Sequence, residues 1–195
     1  MSKKIVVVIP ARYGSSRFPG KPLAKIAGKS MLERVYDIAN EAIKDNKYAE
    51  VIISTEDERI EEHAKAFGAN VVITSAHCET GSDRALNACT QLSTLPDIVI
   101  NFQGDAPLTP PRFLQSIINT LVNNQDIDVA TPMVQMDWDN LNKLRARKKT
   151  SPFSGTTVIT DNNENALWFS KNIIPAIRNE EKIKHKTALS PIFKH

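Results

Sequence analysis

Between residues 10 and 22 the chain reads Pro10-Ala11-Arg12-Tyr13-Gly14-Ser15-Ser16-Arg17-Phe18-Pro19-Gly20-Lys21-Pro22, which gathers three cations, two glycines and two serines in one turn-rich stretch. Directly ahead of it lies Ile5-Val6-Val7-Val8-Ile9, the pattern of a buried strand. A loop at the carboxyl edge of a first parallel strand can aim backbone N–H groups inward. Arg12, Arg17 and Lys21 can then neutralise a polyphosphate by charge-assisted bonds. The competing reading, a solvated basic loop, gives no reason for cations to sit beside glycines at this edge. Two other phosphate signatures are absent. Gly28-Lys29-Ser30 resembles the end of a P-loop, but Leu23 stands where that motif needs a glycine, and no G-x-G-x-x-G follows the first strand.

A second stretch, Ile100-Asn101-Phe102-Gln103-Gly104-Asp105-Ala106-Pro107, passes abruptly from apolar residues to amide, glycine and carboxylate. A carboxylate beside a cationic polyphosphate loop makes chemical sense when a hard Mg²⁺ ion links it to the phosphates, so Asp105 is the candidate metal ligand. The plain alternative for a lone aspartate after a strand is a turn or a helix cap.

These two stretches need a frame that brings them together. Lys4 to Ile9, Glu50 to Ser54, Asn70 to Ile73 and Asp97 to Asn101 read as strands. Between the first two, Met31, Leu32, Val35, Ile38, Ala39, Ala42 and Ile43 recur at helical spacing. Asp57 to Phe67, closed by Gly68, and Gly81 to Leu92 repeat the helical pattern. Apolar strands alternating with helices predict an α/β fold, a three-layer α/β/α sandwich on a mostly parallel sheet, with ligands at the carboxyl ends of the strands. After Pro110 a fourth helix to about Val122, a strand near Val129, and a strand pair at Thr156 to Thr160 and Ala166 to Phe169 are expected to complete a single domain over residues 1–195.

The balance of the chain narrows its partners. A net charge of +3 and the lack of a recognisable module argue against nucleic-acid binding, and no apolar run is long enough to span a bilayer. The densest basic stretch, Lys143 to Lys149, reads as a solvated surface. The apolar run after Lys3 and Lys4 is too short for a secretory signal, and Cys78 and Cys89 suit neither a metal site nor a redox pair. A cytoplasmic protein with two free thiols is expected. His63 is expected on a helix surface, Trp138 and Trp168 in the core or a subunit contact.

The motif at 10–22 together with Gln103-Gly104-Asp105 closely resembles the 3-deoxy-manno-octulosonate cytidylyltransferases, or CMP-Kdo synthetases. Further stretches are similar to that family: Thr80-Gly81-Ser82-Asp83-Arg84, Phe169-Ser170-Lys171 and Ile174-Pro175. The resemblance implies a nucleotide-diphospho-sugar transferase fold and a reaction that joins CTP to a 3-deoxy-ulosonic acid, releasing pyrophosphate, with Mg²⁺ as cofactor. It implies catalytic roles for Arg12, Lys21 and Asp105. It assigns the triphosphate to Arg12, Ser15, Arg17 and Lys21, and the nucleoside to Ala11, Thr80, Gly81, Ser82, Arg84 and Gln103. Ser170, Lys171 and His195 fall to the sugar acid. A homodimer and a role in lipopolysaccharide synthesis follow from the same resemblance.

Lys171 stands where the family carries arginine, and an ammonium cannot reproduce a bidentate fork on a carboxylate. The acceptor therefore stays open between Kdo, an 8-amino relative and another 3-deoxy-ulosonate. The family pattern continues past His195 with another metal-binding aspartate and dimer contacts, so the 195-residue chain alone is expected to bind CTP better than it turns over. Alternatives are a same-fold nucleotidyltransferase using another NTP or a sugar phosphate, and a non-catalytic CTP-binding domain.

Overall fold

A computed structural model describes residues 3–14, 18–185 and 187–195. Ser15 and Arg17 lie outside the described residues. The chain separates into two compact units, Met1–Ala130 and Thr131–His195.

In the first unit the order is β1 (Ile5–Pro10), a short hairpin of β2 (Lys25–Ile26) and β3 (Lys29–Ser30), α1 (Met31–Ile43), β4 (Ala49–Thr55), α2 (Glu58–Ala66), β5 (Asn70–Ile73), α3 (Gly81–Cys89), β6 (Ile98–Asn101) and α4 (Pro111–Asn123). The main sheet has the order β5-β4-β1-β6 and every pairing in it is parallel. Alternation along β1 divides the core. Ile5, Val7 and Ile9 pack with Leu32, Val35 and Ala39 of α1, Ile60 and Ala64 of α2, and Leu114 and Ile118 of α4. Val6 and Val8 point the other way, into Ala85, Ala88 and Cys89 of α3. The expected three layers are present, and each fully buried Val or Ile of β1 contributes about 1.5–3 kcal/mol by leaving water.

The helix ends follow local chemistry. The Ser30 hydroxyl accepts from Glu33 N at 3.0 Å to cap α1, and Asp57 caps α2 by accepting from Arg59 N at 3.1 Å. Gly68 closes the α2 end with a φ of +81°, where a side chain would be strained. His63 is half-buried, not on the open surface: its Nε2 lies 2.8 Å from Ser30 Oγ and its ring meets Phe67 edge-on.

The strand expected near Val129 is absent. Ile127-Asp128-Val129 has the alternation of a strand, but it pairs with no strand among the described residues and Val129 is 83% exposed. The strand forms later, in the second unit: β7 (Val134–Asp137), α5 (Trp138–Thr150), β8 (Thr157–Thr160), β9 (Ala166–Ser170), α6 (Glu180–Lys184) and β10 (Leu189–Lys194). Its sheet, ordered β7-β10-β8-β9, is antiparallel, so the anticipated strand pair belongs to a sheet of its own. Met136, Leu141, Leu144 and Ile192 form its core, with Trp138 packed against them, whereas Trp168 is 67% exposed.

The basic run is not uniformly solvated. Arg145 grips Glu180 through two bonds of 2.8 and 2.7 Å, and the Lys148 ammonium lies among the carbonyl oxygens of Pro152, Ser154, Gly155 and Lys171. Arg145, and then Lys184, hold the Glu180 carboxyl at about 2. Cys78 and Cys89 are buried free thiols.

Candidate active site

The strand order reverses at β1: β4 and β5 extend the sheet to one side, and β6 returns to the other. In open parallel sheets such a point leaves a crevice at the carboxyl ends of the strands. The loop carrying Arg12 leaves β1 there, and Gln103-Gly104-Asp105 leaves β6 beside it. A cavity of about 750 Å³ opens between them, lined by Ala11, Arg12, Lys21, Gly81, Gln103 and Asp105 among others. Six of the residues assigned from sequence thus share one space.

Close backbone approach makes this possible. A Cβ at Gly104 would stand 2.8 Å from the Pro10 carbonyl oxygen, so glycine alone lets the two strand ends touch. Gly20 bends the far end of the first loop with a φ of +70° and lies against the Tyr13 ring, while Gly20 N donates to Tyr13 O at 2.9 Å. The Arg59 guanidinium sits 3.3 Å from the centre of the same ring, fixed from behind by Asp57.

Within the cavity Lys21 Nζ contacts Asp105 Oδ2 at 2.7 Å. Cation and carboxylate are both substantially exposed, so the contact is a small term in stability and is free to exchange for other partners. The Arg12 guanidinium donates to the Cys78 carbonyl, which orients it from the turn before α3.

At that turn Thr80 and Asp83 form a reciprocal cap. Asp83 N donates to Thr80 Oγ1 at 3.1 Å, and Thr80 N and Oγ1 donate to Asp83 Oδ2 at 2.9 and 2.7 Å. Those bonds hold the Asp83 carboxyl below its usual range. Ser82 Oγ accepts from Asn101 Nδ2 at 3.2 Å. Thr80 and Ser82 thus build the turn that presents Gly81 to the cavity. Arg84 is not at the cavity wall: it is 1% exposed, 2.6 Å from Thr74 Oγ1 and 2.5 Å from Glu56. Burial pushes its guanidinium below the ordinary value, against the opposing pull of Glu56, and Arg12 adds to the lowering.

The residues expected to meet the sugar acid lie in the second unit and come together there. Lys171 Nζ donates to Thr156 Oγ1 at 2.8 Å, and His195 N donates to Thr156 O at 3.0 Å. His195 Nε2 lies 2.7 Å from Thr131 Oγ1, with its ring edge-on to Phe169. Ser170 Oγ accepts from Asn172 N at 2.9 Å.

Glu79, Phe18, Met31 and Gly104 also line the cavity and were not singled out from sequence. Glu79 precedes the helix cap Thr80 by one residue, a position that could have flagged it. For a metal, no group of three His, Cys, Asp or Glu gathers anywhere among the described residues. Mg²⁺ commonly takes one or two carboxylates and completes its shell with phosphates and water, and Asp105 on the cavity wall fits that pattern. No helix among the described residues is long and apolar enough to cross a membrane.

Comparison with known proteins gives the same direction. The family model described as Cytidylyltransferase matches residues 6–192. The 3-deoxy-manno-octulosonate cytidylyltransferase of Maricaulis maris is 42% identical over 178 residues, covering 91% of this chain and 68% of the relative. The 8-amino-3,8-dideoxy-manno-octulosonate cytidylyltransferase of Shewanella halifaxensis is 37% identical over 98% of this chain and 71% of its own length. The solved structure of CMP:2-keto-3-deoxy-manno-octonic acid synthetase complexed with CTP superposes with a TM-score of 0.78 at 34% identity, over 98% of this chain and 73% of that one. The fold is therefore that of the nucleotide-diphospho-sugar transferases, and the chain spans roughly two thirds of the length of these curated relatives. With a family model over nearly its whole length and relatives at this identity, the chain belongs to the cytidylyltransferase family, with the 3-deoxy-manno-octulosonate cytidylyltransferases.

Proposed function

We propose that this chain transfers CMP from CTP to a 3-deoxy-ulosonic acid and releases pyrophosphate. The carrying observation is the cavity at the β1–β6 switch point, where two cations, a carboxylate and an amide meet at touching backbones. The similarity to a synthetase solved with CTP supports the nucleotide.

In this reading the anomeric oxygen of the sugar acid forms a bond to the α-phosphorus. The bond from that phosphorus to the bridging oxygen breaks, pyrophosphate departs with the electron pair, and the hydroxyl proton passes to solvent. Arg12 and Lys21 bind the phosphate oxygens and offset charge that grows on the leaving group. Gly81 and Gln103, with Ala11, bound the space for the nucleoside. Asp105 would hold Mg²⁺, whose bound charge neutralises the phosphates. When phosphates arrive, Lys21 exchanges Asp105 for them, which frees the carboxylate. Positioning accounts for most of the rate, as in other phosphoryl-type transfers.

Kdo is the first acceptor to consider, on the names of most relatives; Lys171 and the Shewanella halifaxensis relative support an 8-amino acid as the second. Lys171, Ser170 and His195 would engage the sugar acid. A homodimer, a cytoplasmic location and supply of lipopolysaccharide synthesis complete the proposal, on the family resemblance alone. The test is pyrophosphate release with each NTP and Mg²⁺ against a panel of 3-deoxy-ulosonic acids. CTP-dependent release with Kdo or its 8-amino relative is expected. Release with another NTP and a sugar phosphate, or CTP binding without turnover, would replace the reading.

A further inference from the structure

We propose that Glu56 is a positioning residue for the nucleotide site, acting through Arg84 on the turn that holds Arg12. The inference rests on the proposed CTP reading and concerns residues outside the cavity wall.

Glu56 directly follows β4, and its carboxylate lies 2.5 Å from Arg84 Nη1 of α3. The same Nη1 donates to Thr74 Oγ1 at 2.6 Å, and Arg84 N donates to Thr80 O at 3.2 Å. Arg84 therefore ties together both ends of the segment from Thr74 to Thr80. That segment carries the Cys78 carbonyl that accepts from Arg12 and the cavity-lining Glu79, and it leads directly into Gly81, which also lines the cavity. Arg12 and Arg84 oppose each other as like charges, and Glu56 is the countercharge in contact with the buried one.

Packing alone does not account for the pair. A buried ion pair is often matched or bettered in stability by apolar residues of similar volume, because desolvation offsets the attraction. Here the pair is also imperfect: Arg84 is buried but the Glu56 side chain is 24% exposed, and among the described residues Arg84 Nε and Glu56 Oε2 have no hydrogen-bond partner, so the 2.5 Å contact is ionic and not an aligned bond. A costly, incompletely bonded charge pair directly behind the turn makes sense if its service is to hold that turn. With Glu56 in place, the buried Arg84 guanidinium has its countercharge, Thr74 and Thr80 stay joined, and the Cys78 carbonyl stays where Arg12 needs it before any phosphate arrives.

Calorimetry on the full chain tests this with CTP and CMP as probes. Glu56→Gln is expected to weaken CTP about tenfold, as is common for groups that orient a ligand-binding side chain, with CMP weakened much less. In an Arg12→Ala background the same change should add little, because its route is already cut. Glu56→Gln leaves Arg84 buried and unpaired and could unfold the chain, so Glu56→Leu with Arg84→Met provides the second variant. That pair should regain thermal stability while CTP stays weak. CTP affinity returning together with stability, equal losses for CTP and CMP, or full additivity with Arg12→Ala would each overturn the proposal. If the unaltered chain fails to bind CTP, the underlying reading falls and takes the inference with it; normal CTP binding with a silent Glu56→Gln removes the inference alone.

Discussion

The cavity proposed for the nucleotide and the cluster proposed for the acceptor are built by opposite means. Around the cavity, backbone meets backbone: Gly104 touches Pro10, Gly20 lies on Tyr13, and a capped helix presents Gly81 with a buried arginine behind it. Around Lys171 and His195 the backbone is held, by the Lys148 ammonium at Lys171 O and by Thr156 O at His195 N, but the side chains are less enclosed. Two exposed side chains lean on Thr156 and Thr131 through single bonds, beside an exposed aromatic strand. The difference teaches where precision is invested. Triphosphate geometry is invariant and rewards a preformed cradle, while long side chains held by single hydroxyls can adapt to related sugar acids.

The sharpest way to break the comparison is at the carboxylate. Asp105→Asn keeps volume and removes charge, and turnover should fall by about a thousandfold at limiting Mg²⁺ with the fold intact by circular dichroism. Turnover that stays unchanged there would take the metal away from Asp105. Lys21→Ala should come next, weakening CTP by roughly ten- to a hundredfold and CMP much less, because Lys21 is assigned to the outer phosphates. Titration with both nucleotides checks it, and equal losses would place Lys21 elsewhere in the site.

Gly104→Ala probes the cradle itself. Its methyl group cannot share space with the Pro10 oxygen, so the strand ends must part, at a cost of about 1–3 kcal/mol in denaturant unfolding and with CTP weakened in parallel. On the other side, Lys171→Ala should raise the KM for the sugar acid severalfold with CTP affinity unaltered, a split that steady-state kinetics reads directly. An effect on CTP of the same size would erase the contrast between the two regions.

The smallest effect is expected at Glu180. Its folded carboxyl titrates at about 2, below the ordinary 4.5, because Arg145 and then Lys184 favour the charged form. A depressed carboxyl stabilises above its unfolded value and loses that contribution as pH falls through the folded one. Glu180→Gln should therefore cost less than about 1 kcal/mol near neutral pH, and its difference from the unaltered chain should vanish between about pH 4.5 and 2. Chemical unfolding at several pH values measures it.

How much of this the amino-acid order reveals follows the same division. Four parallel strands and four helices of the first unit were legible because each buries a periodic face, and the two loops were legible because charge and glycine interrupt apolar runs abruptly. The second unit was harder. Helix α5 carries Leu141 and Leu144 as its buried residues amid a run of charge, and β10 is broken by Pro191, so neither shows a clear period. Val129 misled because alternation signals a strand only where a neighbour is available to pair. Arg84 and Lys148 were misread for a different reason: sequence shows a cation but not the carboxylate that lets Arg84 be buried or the carbonyls that draw Lys148 partly out of solvent.

The place of β1 between β4 and β6 bears on how the chain is made. Ile5–Pro10 is made before both of its neighbours in the sheet, and one of them, Ile98–Asn101, is synthesised some ninety residues later. At ordinary translation speeds that interval is on the order of ten seconds. For that time an apolar, β-branched ribbon has a bare hydrogen-bonding edge in a crowded cell, which is the setting in which nascent chains attract chaperones or one another. The residue order that makes the switch-point crevice also makes the newborn protein wait for it.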